Sequence, residues 1–224
     1  MDIDLLYTLD ALPRLLKGAL ITVEVAVAAM ALSLLVAAAF TLLRESGSRA
    51  GAAGIRAYLS YIRGTPLLVQ ILLVYYGLPK LGLELSPLVA GILALGLSSA
   101  AYTTEIIRGG LAAIPRGQVE AALALGLRRL AIWSRIILPQ VYHFTLPPLV
   151  NEFTQVIKGT PLVSVIAVVE LMRIAQQIYN DNFRPLEVLL GAALIFFVMN
   201  FAFLRAAAEL ERRNPLRYSA SQSC

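Results

Sequence analysis

Charge-poor apolar stretches recur five times along the chain, and each is long enough to be weighed as a membrane segment. A transmembrane helix needs about 20 mainly apolar residues. The first stretch, about 18–43, is interrupted only by Glu24. The second, about 60–79, has its apolar part from Gly64 and ends in Tyr75-Tyr76-Gly77-Leu78-Pro79. The third, about 85–107, has no charge between Glu84 and Glu105. The fourth, about 142–169, is broken: it carries Pro147-Pro148, Glu152 and Lys158-Gly159-Thr160-Pro161. The fifth, about 187–207, contains the run Val188 to Leu204. None shows strict alternation, and all are longer than the strand of a membrane barrel. The pattern predicts an all-α integral membrane protein, one domain over 1–224, with five transmembrane helices.

Composition agrees. The chain is 58% hydrophobic and 15% charged, with a mean hydropathy of +0.75, against about 45–50% and about 25% in a soluble domain. A disordered tail, a disulfide-stapled module and an ordinary soluble enzyme are excluded. Cys224 and His143 are the single cysteine and histidine, so neither an internal disulfide nor a metal cluster can be built from them. A catalytic Cys/His pair has no local support, and His143 is assigned no role beyond packing.

The pI near 9.6 raises nucleic acid as a partner, and the positions of the charges decide the point. With the N-terminus outside, the two inside loops and the C-terminal tail hold thirteen cations, from Arg44 to Arg217. Five lie outside: Arg14, Lys17, Lys80, Arg173 and Arg184. Lys158 falls within the fourth segment. This is the positive-inside bias, so the topology is N-out, C-in, and no basic face with stacking aromatics points to nucleic acid. Asp2, Asp4 and Asp10 precede the first segment, whose apolar run is too long for a signal peptide, so it is read as retained.

The second inside loop, about 113–138, carries the organising pattern. Pro115 stops one helix. Glu120 to Leu125 are good helix formers, with Glu120 in a first turn that favours an anion. Gly126 supplies a sharp exit. Ala121, Ala122 and Ala124 leave a small-residue surface suited to another protein's groove; a helix resting on lipid headgroups is the alternative.

Glu120-Ala121-Ala122, three residues, Gly126, nine residues, then Ile136-x-Leu138-Pro139 resembles the EAA loop of binding-protein-dependent ABC importer permeases. The stretches Arg63-Gly64-Thr65-Pro66-Leu67-Leu68-Val69-Gln70, Ala101-Tyr102-Thr103-Thr104-Glu105 and Lys158-Gly159-Thr160-Pro161-Leu162 extend the resemblance to the polar amino acid subfamily, importers of histidine, arginine, glutamine, glutamate or opines. The resemblance covers nearly the whole chain. It implies residence in the bacterial inner membrane and residues 116–129 as a cytoplasmic coupling helix, with Glu120, Ala121, Ala122, Gly126, Leu138 and Pro139 on the ATPase-coupling side. Its implied partners are two ATP-binding cassette subunits, a second permease subunit (identical or a sister), a periplasmic or lipid-anchored solute-binding protein, and an amino acid. ATP is then hydrolysed by the partners. No Gly-x4-Gly-Lys-[Ser/Thr] loop occurs in this chain, and no cofactor is expected.

Ionisable groups inside spans are costly and are functional candidates. Glu105 and Arg108 fall on one helical face, which reads as an ion pair or a pathway element. Glu24 fits a water-exposed rim or a ligand role. In the fourth segment, Gly159 and Thr160 before Pro161 read as a break and restart, with Thr160 capping a new helix and Pro161 in its first turn. Broken helices present such N-termini to anionic solutes. The solute's carboxylate is therefore expected near the Gly159–Thr160 amides, and its α-amino group near Glu152 or Asn151. A simple Lys158–Glu152 pair is the bland alternative. Ser98, Ser99 and Tyr102 line the pathway or pack between helices. The segment Glu170 to Arg184 is a docking ledge or a solvated helix.

The predicted function is that of an amino acid importer's permease acting by alternating access. A passive channel and a permease for another small polar solute such as an opine are the alternatives; an intramembrane enzyme lacks paired catalytic groups. The three intramembrane acids favour a cationic solute.

Overall fold

The computed structural model describes residues 5–212, so Asp2, Asp4, Arg213, Arg217 and Cys224 lie outside the described residues. Among the described residues, nine α-helices follow one another: α1 (Leu5–Glu45), α2 (Arg49–Gly64), α3 (Leu67–Gly77), α4 (Pro87–Ala112), α5 (Arg116–Ala124), α6 (Arg129–Ile132), α7 (Leu138–Gly159), α8 (Leu171–Asn182) and α9 (Pro185–Arg212). No strand occurs among the described residues.

The centre of the bundle is the pair α1 and α4. Lipid gives no hydrophobic drive for helices to associate, so close approach of small residues must hold them. Helix α1 supplies such a stripe in Thr22, Ala26, Ala29, Ser33 and Ala37, all fully buried. On α4 the matching position is Gly96, where a Cβ would come within 2.7 Å of Leu32 Cδ2 and 3.0 Å of the Ala29 carbonyl oxygen. Ser33 meets Ser99, and Arg44 meets Glu105 further along, so the two helices run parallel. A core of Val25, Ile71, Leu95, Ile157, Val163 and Ile166 then joins α1, α3, α4 and α7.

Helix α8 packs at the other end of α1, through Leu171, Ala175 and Ile178 against Leu15 and Ala19. Gly18 permits this: a Cβ there would lie 2.7 Å from Leu171 Cα. The Glu170 carboxylate, fully buried, caps α8 by accepting from the Met172 and Arg173 amides at 2.8 Å each. The Leu171 amide donates to the Thr22 hydroxyl at 3.2 Å. The polar segment from Glu170 is thus locked into the bundle, not merely solvated.

Among the described residues, three helices are long and apolar enough to cross a membrane, within α1, α4 and α9. Two bent pairs raise the number to five if each is counted as one span. The second apolar stretch is not one straight helix over 60–79. Its first residues end α2, and the chain turns by 112° into α3. At 11 residues, α3 is about 16 Å long, half the hydrocarbon core of about 30 Å. In the fourth stretch α7 runs unbroken through Pro147 and Pro148, passes into a 3₁₀ segment over Thr160–Ile166, and bends by 51° into α8.

Candidate functional site

Helices α4 and α7 face each other across a cavity of about 600 Å³. Helix α4 contributes Leu95 and, on one face at i, i+1 and i+4, Ser98, Ser99 and Tyr102; α7 contributes Glu152, Gln155, Val156, Lys158 and Gly159; Leu67 at the head of α3 also lines it. Glu152 is half-buried, and its Oε1 accepts a hydrogen bond from Ser99 Oγ at 2.7 Å. Lys158 is exposed. No salt bridge joins it to Glu152 among the described residues, so the two charges remain separate features of the wall. A second hollow of about 560 Å³ between α7 and α9 shares Lys158 with the first.

Six of the residues expected along the pathway are in this wall: Glu152, Lys158, Gly159, Ser98, Ser99 and Tyr102. Asn151 is exposed and not in it. Two expectations need correction. Thr160 does not cap a new helix: it holds helical angles (φ −58°, ψ −33°), and its hydroxyl donates backwards to the Ile157 carbonyl at 2.8 Å. Its amide is also occupied, by the Ile157 and Val156 carbonyls, and the residue is fully buried. It therefore offers an anion nothing. The restart with a free helix end lies further on, at α8, where Glu170 of the chain itself occupies the amides.

Glu105 also stands apart from the cavity. Arg108 Nε and Nη2 donate to its Oε2 at 3.0 and 2.7 Å, and Arg44 Nη1 lies 3.8 Å from Oε1. The carboxylate thus ties the end of α1 to α4, beside Arg56 and Arg63 of α2. Glu24 is exposed on α1.

Sequence reasoning passed over Gln155, Gln70 and Ser33. Gln155 lies one turn below Glu152 on the same face, and that spacing was the available signal. Ser33 and Gln70 act through contacts 66 and 8 residues away, which no local pattern displays.

The loop 113–138 folds as its residues dictate. Pro115 precedes α5, and Gly126 follows it at φ +77°. The Gly126 amide donates to Leu123 O at 2.9 Å and the Leu127 amide to Ala122 O at 3.1 Å, the paired closure of a Schellman end, where glycine carries no Cβ penalty. Ala122 is buried against Ile132, Ile137 and Val141, whereas Glu120 and Ala121 are exposed. Four leucines around the exit stay open, Leu125 and Leu130 by 80% and 81%, with Leu123 and Leu127 beside them. Beyond α6 one π-helical turn over Trp133–Ile137 leads into α7, with the Leu138 amide reaching back to Trp133 O. This wider turn adapts the helix to Pro139, which has no amide hydrogen.

The family model described as "binding-protein-dependent transport system inner membrane component" matches residues 29–214. The chain is 37% identical over 220 residues to the octopine transport system permease protein OccM of Rhizobium meliloti, covering 94% of this chain and 90% of that one. It is 35% identical over 214 residues to the arginine transport system permease protein ArtQ of Bacillus subtilis, covering 95% and 98%. Among solved structures, a crystal structure of an amino acid ABC transporter with histidines superposes with a TM-score of 0.88 at 35% identity, over 96% of this chain and all of that one.

Proposed function

The chain belongs to the family of binding-protein-dependent transport system inner membrane components, and from that premise we propose that it carries a polar amino acid through the cavity between α4 and α7, by alternating access driven by partner ATPases. One observation carries the reading: a carboxylate and an ammonium, Glu152 and Lys158, stand in one hollow without a salt bridge between them. A zwitterion needs that arrangement, its α-ammonium at Glu152 and its carboxylate at Lys158. Gln155, Ser98 and Tyr102 are left for the side chain. Relatives named for arginine and octopine transport agree with a solute of this class.

In this reading each bent pair is one span, giving five with the N-terminus outside and the C-terminus inside. The parallel course of α1 and α4 agrees with both being outside-to-inside crossings. Helix α5 is the coupling helix: Glu120 and Ala121 face one ATP-binding subunit, Ala122 anchors the helix to α7, Gly126 sets its exit, and Leu138 and Pro139 open α7 behind it. The open leucines around it form an apolar patch of the kind that marks a protein contact. A second permease subunit, identical or a sister, completes the pathway, and a solute-binding protein delivers from the other side.

The test is ATPase and uptake activity in proteoliposomes holding this chain, its ATP-binding subunits and its solute-binding protein, with each proteinogenic amino acid in turn. Stimulation by a solute is expected, lost in a Glu120→Arg/Gly126→Pro double variant and weakened in affinity by Glu152→Gln. Solute flux that ignores ATP would sink the importer reading and leave the passive channel.

A further inference from the structure

Behind Glu152 a line of hydroxyls runs out of the cavity into the α1–α4 interface. Ser99 Oγ donates to Glu152 Oε1 at 2.7 Å. Ser33 Oγ, on α1, donates to Ser99 Oγ at 3.2 Å and lies 2.7 Å from Thr103 Oγ1. All three hydroxyl residues are at most 3% exposed. A hydroxyl has one proton to give, which fixes the direction of the whole chain. Ser99 has spent its proton on the carboxylate, so it can only accept from Ser33. Ser33 has then spent its own, so Thr103 must donate to Ser33. Every proton points towards Glu152.

This arrangement differs from how hydroxyls elsewhere in these helices behave. Thr22, Thr41, Thr104 and Thr145 each donate to the carbonyl four residues back, the usual way for a helix hydroxyl to satisfy itself. Ser33 and Ser99 instead donate sideways, across helix boundaries. Hydrogen bonds in series polarise one another, more so where water is absent.

We infer that Ser33 and Thr103 are positioning residues for the solute site: through Ser99 they hold Glu152 in one rotamer, with its charge presented to the cavity. The inference rests on the reading of Glu152 as the ligand of the solute's ammonium group. It assigns a role in solute affinity to two side chains that touch no solute, one of them on a helix absent from the cavity wall. Helix α1 thereby reports its packing against α4 directly to the site.

The experiment uses the reconstituted transporter with its partners. The twenty proteinogenic amino acids are screened on the unaltered complex, and the one imported at the lowest concentration is carried to the variants. Thr103→Val, which keeps the volume and removes the hydroxyl, is expected to raise the half-saturating concentration about fivefold, the worth of roughly one hydrogen bond. Ser33→Ala should act similarly. Maximal rate, unstimulated ATPase activity and yield of assembled complex stay at their original values, and Thr103→Ser restores the original affinity. Unchanged affinity in Thr103→Val and Ser33→Ala, with affinity lost in Glu152→Gln, overturns the inference and leaves the site reading intact. Unchanged affinity in Glu152→Gln, or import of none of the twenty, removes the site reading and the inference with it. Equal losses of rate and yield in Thr103→Val and Thr103→Ser would make the hydroxyls packing groups only.

Discussion

The chain contains the same local pattern twice, Arg63-Gly64-Thr65-Pro66-Leu67 and, ninety-five residues on, Lys158-Gly159-Thr160-Pro161-Leu162, and folds it in two ways. At the first copy Thr65 is extended (φ −118°, ψ 143°) and the chain turns by 112°. At the second Thr160 stays helical (φ −58°, ψ −33°) and α7 runs on into a 3₁₀ segment. A residue before proline prefers the extended region, so Thr65 obeys the local rule and Thr160 breaks it. Both prolines withhold an amide from the carbonyl four residues back, Ile62 or Ile157. What replaces that amide separates the two outcomes. At the bend, Gln70 Nε2 reaches Ile62 O at 2.9 Å and Thr65 O at 3.0 Å, binding the end of α2 to the start of α3. At the second copy the Thr160 hydroxyl and amide both go to Ile157 O, so the helix closes on itself. The residue matching Gln70 there is Val165, which has no donor. Surroundings agree: a Cβ on Gly64 would meet nothing within 4 Å, while one on Gly159 would press on Leu67 at 3.3 Å. Local sequence supplies the break; a distant side chain decides whether it opens.

The comparison breaks most sharply at Gln70. Gln70→Met fills the space but leaves the Ile62 and Thr65 carbonyls without a donor, and a buried group so orphaned costs about 1–3 kcal/mol. The variant is expected to unfold several degrees lower in thermal unfolding of the detergent-solubilised chain, since a change of 1 kcal/mol moves the midpoint by roughly 2–4 °C at this size. An unchanged midpoint would show that the bend is held by packing alone.

A smaller effect distinguishes the two threonines. Thr160→Val removes a buried hydroxyl bond worth about 1 kcal/mol, while Thr160→Ser retains it. Thr65, half-buried, donates to Tyr61 O at 2.9 Å and accepts from Gln70 Nε2 at 3.1 Å. Gln70 keeps the Ile62 and Thr65 carbonyls without that hydroxyl, so its loss is expected to cost about 0.5 kcal/mol, the low end for a hydrogen bond. Thermal unfolding should therefore place Thr160→Val below Thr65→Val, whereas Thr160→Ser, which keeps the bond but loses a fully buried methyl, costs about 1 kcal/mol through packing instead. Equal effects of Thr160→Val and Thr65→Val would make the two copies energetically alike.

These pairs also mark how far the sequence could be read. The apolar stretches, the helix over 116–124 and the turn at Gly126 follow from local chemistry: proline before, alanines within, glycine after. The cavity wall on α4 and α7 was legible because an ionisable residue in an apolar run is costly and must face something polar. The capping role of Thr160 was misread because the rule for residues before proline was applied without the tertiary contacts that override it. Gln70 and Ser33 were invisible for a related reason. Each looks like an ordinary polar residue in a helix, and only the folded chain shows which carbonyl or hydroxyl it reaches. Glu170 belongs with them: its helix-capping carboxylate sits at full burial against α1, although the segment it opens, Glu170 to Arg184, reads as polar.

The smallest effect lies where the two segments end. The stretch after Pro66 closes on Gly82 at φ +82°, the stretch after Pro161 on Ala167 at φ +66°. At Ala167 the closure is formed all the same, the amides of Ala167 and Val168 donating to Ser164 O at 3.0 Å and Val163 O at 3.3 Å. A left-handed residue with a Cβ costs roughly 1–2 kcal/mol. Glycine removes that cost but makes the unfolded chain more flexible, which takes back about 0.4–1 kcal/mol. Ala167→Gly should thus raise stability by roughly 0–1.6 kcal/mol, the difference of these two terms. Gly82→Ala should lower it, because no neighbour compensates for the added Cβ at a positive φ. Opposite signs in thermal unfolding would show that both segments end in the same strained closure. A loss of stability in Ala167→Gly would mean that the Ala167 methyl group contributes packing worth more than the strain it carries.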